Sequence, residues 1–102
     1  MNPYAIPGRM TIEEVACEAF GANLCEMLNG SRERQCVEAR YFSMWWRRKQ
    51  KKQTTFEVGR IYRRDHSTVT NDEKTIEGWI EVDKVFRAKF ETAFNKLANG
   101  KQ

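Results

Sequence analysis

The residues of this chain whose types and spacing could do chemistry sit together at Arg64-Asp65-His66-Ser67-Thr68. An arginine, a carboxylate, an imidazole and two hydroxyls open a helix-forming stretch. Short polar side chains in the first turn of a helix can reach base edges in a DNA groove. The same helix start attracts phosphate through its free N–H groups and its dipole. A plainer use exists for each residue. Asp65 could simply cap the helix that follows it, and a lone histidine is by default a structural or surface residue. Catalysis finds little support, because no nucleophile stands paired with a base. Metal binding finds little either. His66 is the single histidine, and Cys17, Cys25 and Cys36 lack the C-x₂₋₄-C spacing of a zinc site. The chain therefore reads as no enzyme, with no metal, no cofactor and no small-molecule substrate.

The surroundings of that run decide what it could act on. The chain has 102 residues, 40% of them apolar, which fits one folded domain rather than disorder. Its formal charge is +4, unevenly placed: eleven basic and four acidic residues lie between Ser31 and His66, against seven and ten elsewhere. A basic middle between acidic ends points to a polyanion partner. No apolar run approaches the roughly 20 residues a membrane helix needs, and Met1 to Met10 carry no apolar signal region. Three cysteines at loose spacing do not read as a disulfide framework, so a reducing cytoplasm is expected and membrane association is not.

The elements that must position the run read as helices throughout. Residues 1–10, with Pro3, Pro7 and Gly8, form an irregular arm. Thr11 with Glu14 is a capping box; Ile12, Val15, Ala16 and Ala19 give one apolar face, and Gly21 ends the helix. A short helix spans about Leu24 to Leu28, closed by Asn29-Gly30. Ser31 opens a long helix to about Lys49, with Val37, Tyr41, Met44 and Trp45 on its apolar stripe and Cys36, Ala39, Ser43 and Trp46 beside it. Trp45 and Trp46 are about 100° apart on a helix, so one belongs to the core and the other covers a neighbour. Thr54 or Thr55 caps a short helix, Phe56 to about Ile61, with Phe56, Val58 and Ile61 as its apolar positions. A tight basic turn, Tyr62-Arg63-Arg64, leads to the next helix, which buries Val69, Ile76 and Trp79 or Ile80. A last helix, about Asp83 to Leu97, carries Val85, Phe86, Phe90, Phe94 and Leu97, and Asn99-Gly100 ends it. No period-2 strand appears. The expected fold is all-α, about six helices in one domain over 11–98, with a tail at 99–102.

A short helix, a tight turn and a second helix inside a basic block form a helix-turn-helix pattern. At this point the sequence resembles a known family. Glu57-Val58-Gly59 followed by Arg64-Asp65-His66-Ser67-Thr68-Val69 is similar to the signature of the C-terminal DNA-binding domain of the bacterial replication initiator DnaA. That domain has E-I-G in its bracing helix and R-D-H-[ST]-T-V at the start of its recognition helix. Ala39-Arg40 with Phe42-Ser43-Met44-Trp45-Trp46 fits the family's A-R-Q-I-A-M-Y-L helix, and Thr11-Ile12 fits its opening T-I helix. The resemblance covers about residues 11–97.

The resemblance implies sequence-specific binding of double-stranded DNA at DnaA-box-like sites, in replication initiation or its regulation. Asp65, His66, Ser67 and Thr68 would meet the major groove. There Asp65 could accept from a cytosine amino group, and His66 and Thr68 could pack on thymine methyls. Arg32 falls at the position of a minor-groove arginine. Arg40, Tyr41, Arg48, Arg64 and the helix start Thr54, Thr55 and Phe56 fall at phosphate-contacting positions. A nucleoid-associated, cytoplasmic protein follows. Two departures stand out. Between Gly59 and Asp65 the chain is one residue shorter than the family's F-G-G-R turn, with Tyr62-Arg63 where glycines are expected. No G-x-x-x-x-G-K-[ST] occurs, so no ATPase activity is expected. The alternatives are a transcriptional regulator, a nonspecific DNA-binding protein, or an interaction module. The last would use the C-terminal phenylalanines to bind the full-length initiator or a second copy.

Overall fold

A computed structural model describes residues 10–99; all but the last residue of the expected arm at 1–10, and all but the first of the expected tail at 99–102, lie outside the described residues. Among those described, six helices and no strand are present: α1 (Ile12–Phe20), α2 (Leu24–Leu28), α3 (Arg34–Lys49), α4 (Thr55–Tyr62), α5 (His66–Val82) and α6 (Lys84–Asn99). None is long and apolar enough to cross a membrane.

Helix starts follow local chemistry. Thr11 and Thr54 each accept from the N–H three residues on, and Glu14 and Glu57 return the bond, so α1 and α4 both open on complete capping boxes. Gly21 closes α1 in the left-handed conformation, at φ 72°. The start of α3 differs from the expected one. Ser31 does not cap it, though its hydroxyl accepts from the Glu33 N–H at 3.2 Å; the helix begins at Arg34, with Glu33 at the cap position making no side-chain capping bond. Ser31 is engaged behind it. Its N–H donates to the Glu26 carbonyl and its own carbonyl accepts from Arg40, so it finishes α2 rather than starting α3.

α3 is the hub, packed by α1, α2, α4 and α5. Its buried stripe is consequently rotated from the expected one. Cys36, Ala39, Phe42, Ser43, Met44 and Trp46 are buried, whereas Val37, Tyr41 and Trp45 are only half-buried. A helix covered from several sides has no single apolar face. Trp46 is the core tryptophan and Trp45 the covering one, its ring edge-on to Phe90 at 4.9 Å. The phenylalanines of α6 turn inward: Phe86 stacks on Phe20 and Phe90 meets Phe42 edge-on. Val85 is not part of this stripe and is 68% exposed.

α4 also differs in its apolar face. Val58, Gly59 and Tyr62 are buried, while Phe56 and Ile61 are 61% and 44% exposed. An eight-residue helix has room for one contact line, and here it runs along α5. Tyr62 is the last residue of α4, not part of the turn. Its hydroxyl donates to Glu13, whose carboxylate also receives Arg47 at 3.0 Å, so one half-buried triad fastens α1, α3 and α4 together.

Candidate nucleic-acid interface

The two helices α4 and α5 pack closely because Gly59 lets them. A β-carbon there would lie 2.4 Å from the Arg64 carbonyl oxygen, and the Arg64 N–H donates to the Gly59 carbonyl at 2.7 Å. Arg63 makes the turn in the left-handed conformation at φ 57°, ψ 47°, a region that favours glycine. Asp65 then caps α5. Its carboxylate accepts from the Ser67 N–H at 3.1 Å and from the Ser67 hydroxyl, and those bonds hold it below its ordinary range. The capping role of Asp65 is thus realised, while the side chain stays exposed. His66 and Ser67 are exposed beside it and Thr68 is half-buried. The His66 ring stacks on Phe56, centroids 4.3 Å apart and 24° between planes, joining the first turns of α4 and α5 into one surface.

Eleven basic residues lie between Ser31 and His66. Four are spent on internal pairs. Arg34 bridges Glu38 and Asp83 and lies 4.2 Å over the Trp79 ring. Arg47 holds Glu13, and Arg48 and Lys49 share Glu73. Arg48 also donates to the Gln53 carbonyl at 2.9 Å. Much of the Arg47 to Lys49 run is thereby folded into the bundle. In contrast, Arg32, Arg63 and Arg64 have no carboxylate within 4 Å among the described residues.

Arg40 is neither exposed nor ion-paired. It is 4% exposed, its guanidinium donating to the Met27 and Ser31 carbonyls at 3.0 and 3.2 Å, and its Nε has no partner. Tyr41, next on α3, stacks on Trp79 and faces the buried carboxylate of Asp72. Burial pushes Asp72 above its ordinary value, partly offset by Tyr41, Arg64 and Arg40. Thr54 and Phe56 stand exposed at the start of α4, Thr55 half-buried between them. Asp72 and Glu73 are the site's neighbours that sequence reasoning missed. They pair with groups 24 or more residues away along the chain, and no local pattern marks them.

A short α4, a three-residue turn with one left-handed residue and a capped α5 with an exposed polar first turn compose a helix-turn-helix, of a kind found in a known family. The bacterial DnaA protein helix-turn-helix matches residues 10–76. The chain belongs to this family. It is 34% identical over 79 residues to the chromosomal replication initiator protein DnaA of Bacteroides thetaiotaomicron, covering 76% of this chain. It is 35% identical over 81 residues to that of Bacteroides fragilis and 33% over 79 to DnaA 2 of Protochlamydia amoebophila, covering 78% of this chain in each case. In all three the match spans 17% of the relative's own length. The connection between α4 and α5 is Arg63, Arg64 and Asp65, of which Arg63 alone is left-handed. The Gly59 and Asp65 positions keep their helix-turn-helix uses.

Proposed function

We propose that this DnaA-type helix-turn-helix binds double-stranded DNA sequence-specifically, at DnaA-box-like sites, in replication initiation or its regulation, and without ATPase activity. In this reading the first turn of α5 enters the major groove, with Asp65, His66, Ser67 and Thr68 toward base edges. Arg32 enters the adjacent minor groove. Arg64 and the N-terminus of α4, at Thr54, Thr55 and Phe56, lie on the backbone, with Arg40 and Tyr41 behind them. Arg48 reaches a phosphate by exchanging Glu73 for it.

The observation that carries the reading is the sorting of charge. Four of the eleven cations of the basic block are neutralised internally; of the seven with no carboxylate within 4 Å among the described residues, Arg32, Arg63 and Arg64 stand together near the exposed polar start of α5. The α6 phenylalanines give an interaction module little to work with, since Phe86 and Phe90 are buried. Fluorescence anisotropy with two short labelled duplexes, one carrying a DnaA box and one scrambled, at two salt concentrations tests the proposal. A preference for the box that persists at the higher salt is expected. Equal binding that collapses with salt leaves only the sequence-independent electrostatic term and refutes specific recognition.

A further inference from the structure

An open cleft of about 580 Å³ separates the α2–α3 loop from the α4–α5 turn. Arg32 and Asn29 stand on one wall, Arg63 and Arg64 on the other, with Arg40 and Tyr41 beneath. No acidic residue lines it. The carboxylate of Asp72, buried behind Tyr41, acts on Arg40 and Tyr41 at its floor.

Three observations point to an anion in this cleft. Four arginines line it, and burial and then the charge of Arg64 weigh on the Arg40 cation. The buried Nε of Arg40 is the single orphaned side-chain donor found among the described residues, and such a group normally has a partner. The third is Arg63 itself. It occupies a left-handed turn position, φ 57°, where a glycine would sit without strain, and its side chain is exposed. Lys52 shares this conformation, at φ 59°, but of the two only Arg63 borders the cleft, so the strained position there holds a side chain placed to be used.

We propose that Arg63 is an additional phosphate-binding residue, and that with Arg40 it seats a phosphodiester group of the bound duplex in this cleft, while Arg32 on the facing wall keeps its place in the minor groove. The inference rests on the DNA-binding reading and extends it to the shortened turn. The turn carries the cation of Arg63, so the strand running between the minor-groove arginine and the recognition helix is gripped midway. The ligand chemistry is a tetrahedral phosphoanion, and its source is the DNA backbone rather than free phosphate.

The test uses Arg63→Gly, which suits the left-handed backbone and therefore keeps the turn, together with Arg63→Lys. Duplex affinity is measured by anisotropy across a salt series on the box and scrambled duplexes. Arg63→Gly is expected to melt no lower than the parent and to lose affinity on both duplexes by the same factor. Its slope of log affinity against log salt falls by about one, and Arg63→Lys recovers most of that slope. Unchanged affinity and slope in Arg63→Gly overturn the proposal, as does a loss confined to the box duplex, which would make Arg63 a base reader. Inorganic phosphate and pyrophosphate, titrated by phosphorus NMR, separate the sources. Binding of either at concentrations that leave duplex binding intact, abolished in Arg63→Gly, assigns the cleft to a free anion and overturns the DNA source. Failure of the parent protein to bind either duplex at low salt removes the DNA-binding reading, and this one with it.

Discussion

His66 has about half its side chain in solvent and one ring face against Phe56. That stack fixes the ring before any ligand arrives, so little rotamer freedom remains to be lost on binding. His66→Ala is expected to cost roughly 1–3 kcal/mol on the preferred duplex and little on a scrambled one, read by anisotropy at fixed salt. Equal losses on both duplexes would remove His66 from the base-reading set. At this scale the sequence was informative where a residue acts on its immediate neighbours: Asp65 as a cap, Thr11 with Glu14, Thr54 ahead of Glu57. It was silent where the partner is remote. Arg40 is buried because two backbone carbonyls, at Met27 and Ser31, happen to receive it, and carbonyls carry no side-chain signature. Arg48 and Lys49 read locally as a solvated basic run, and only the approach of α5 brings Glu73 to them.

The helix-turn-helix depends on a single missing β-carbon. Gly59→Ala would place one 2.4 Å from the Arg64 carbonyl oxygen, which is backbone and cannot rotate away. The α4–α5 turn must then open, at a cost of about 1–3 kcal/mol typical of overpacking, measured as a lower urea midpoint at unchanged slope. Specific duplex binding should fall further than stability does, because the first turn of α5 moves with Arg64. A variant as stable and as selective as the parent would show the turn to be softer than its geometry. The existence and order of all six helices were legible from caps, glycines and spacing. The faces of α3 and α4 were not. α3 is packed from several directions, so its Cys36–Ala39–Ser43–Trp46 side outranks the more obvious Val37–Tyr41 stripe. In α4, Phe56 and Ile61 are apolar yet exposed, because Tyr62 takes the inward position. Apolar character alone does not say which way a two-turn helix faces.

Across the whole molecule, acidic groups hold the bundle together. Burial alone would raise the Glu13 carboxyl, but bonds from Arg47 and Tyr62 reverse that and hold it below its ordinary value of 4.5. Glu73 is likewise held low against its burial by Lys49 and Arg48. A carboxyl lowered in the fold stabilises it fully above the unfolded value, and the contribution is lost as pH falls through the folded one. Stability should therefore drop below about pH 4.5, with Asp72, pushed up by burial, offsetting part of the loss. Glu13→Gln should be about 2–3 kcal/mol less stable at pH 7, leaving Arg47 and Tyr62 underpaired. It should also show a flatter acid limb in urea titrations, and an acid limb as steep as the parent's would exclude Glu13 as its source. The chain's three thiols add a further consequence. Cys25 is exposed, whereas Cys17 in α1 and Cys36 in α3 are buried, and burial with the nearby Cys36 pushes the Cys17 thiol up to about 11. Only thiolates react readily with disulfide reagents, so the protein carries its own clock. One sulfur should titrate at once, and the other two only when α1 lifts from α3. Saturating duplex should slow those two by the factor with which it binds the closed form in preference to the open one, leaving Cys25 to keep time unaltered.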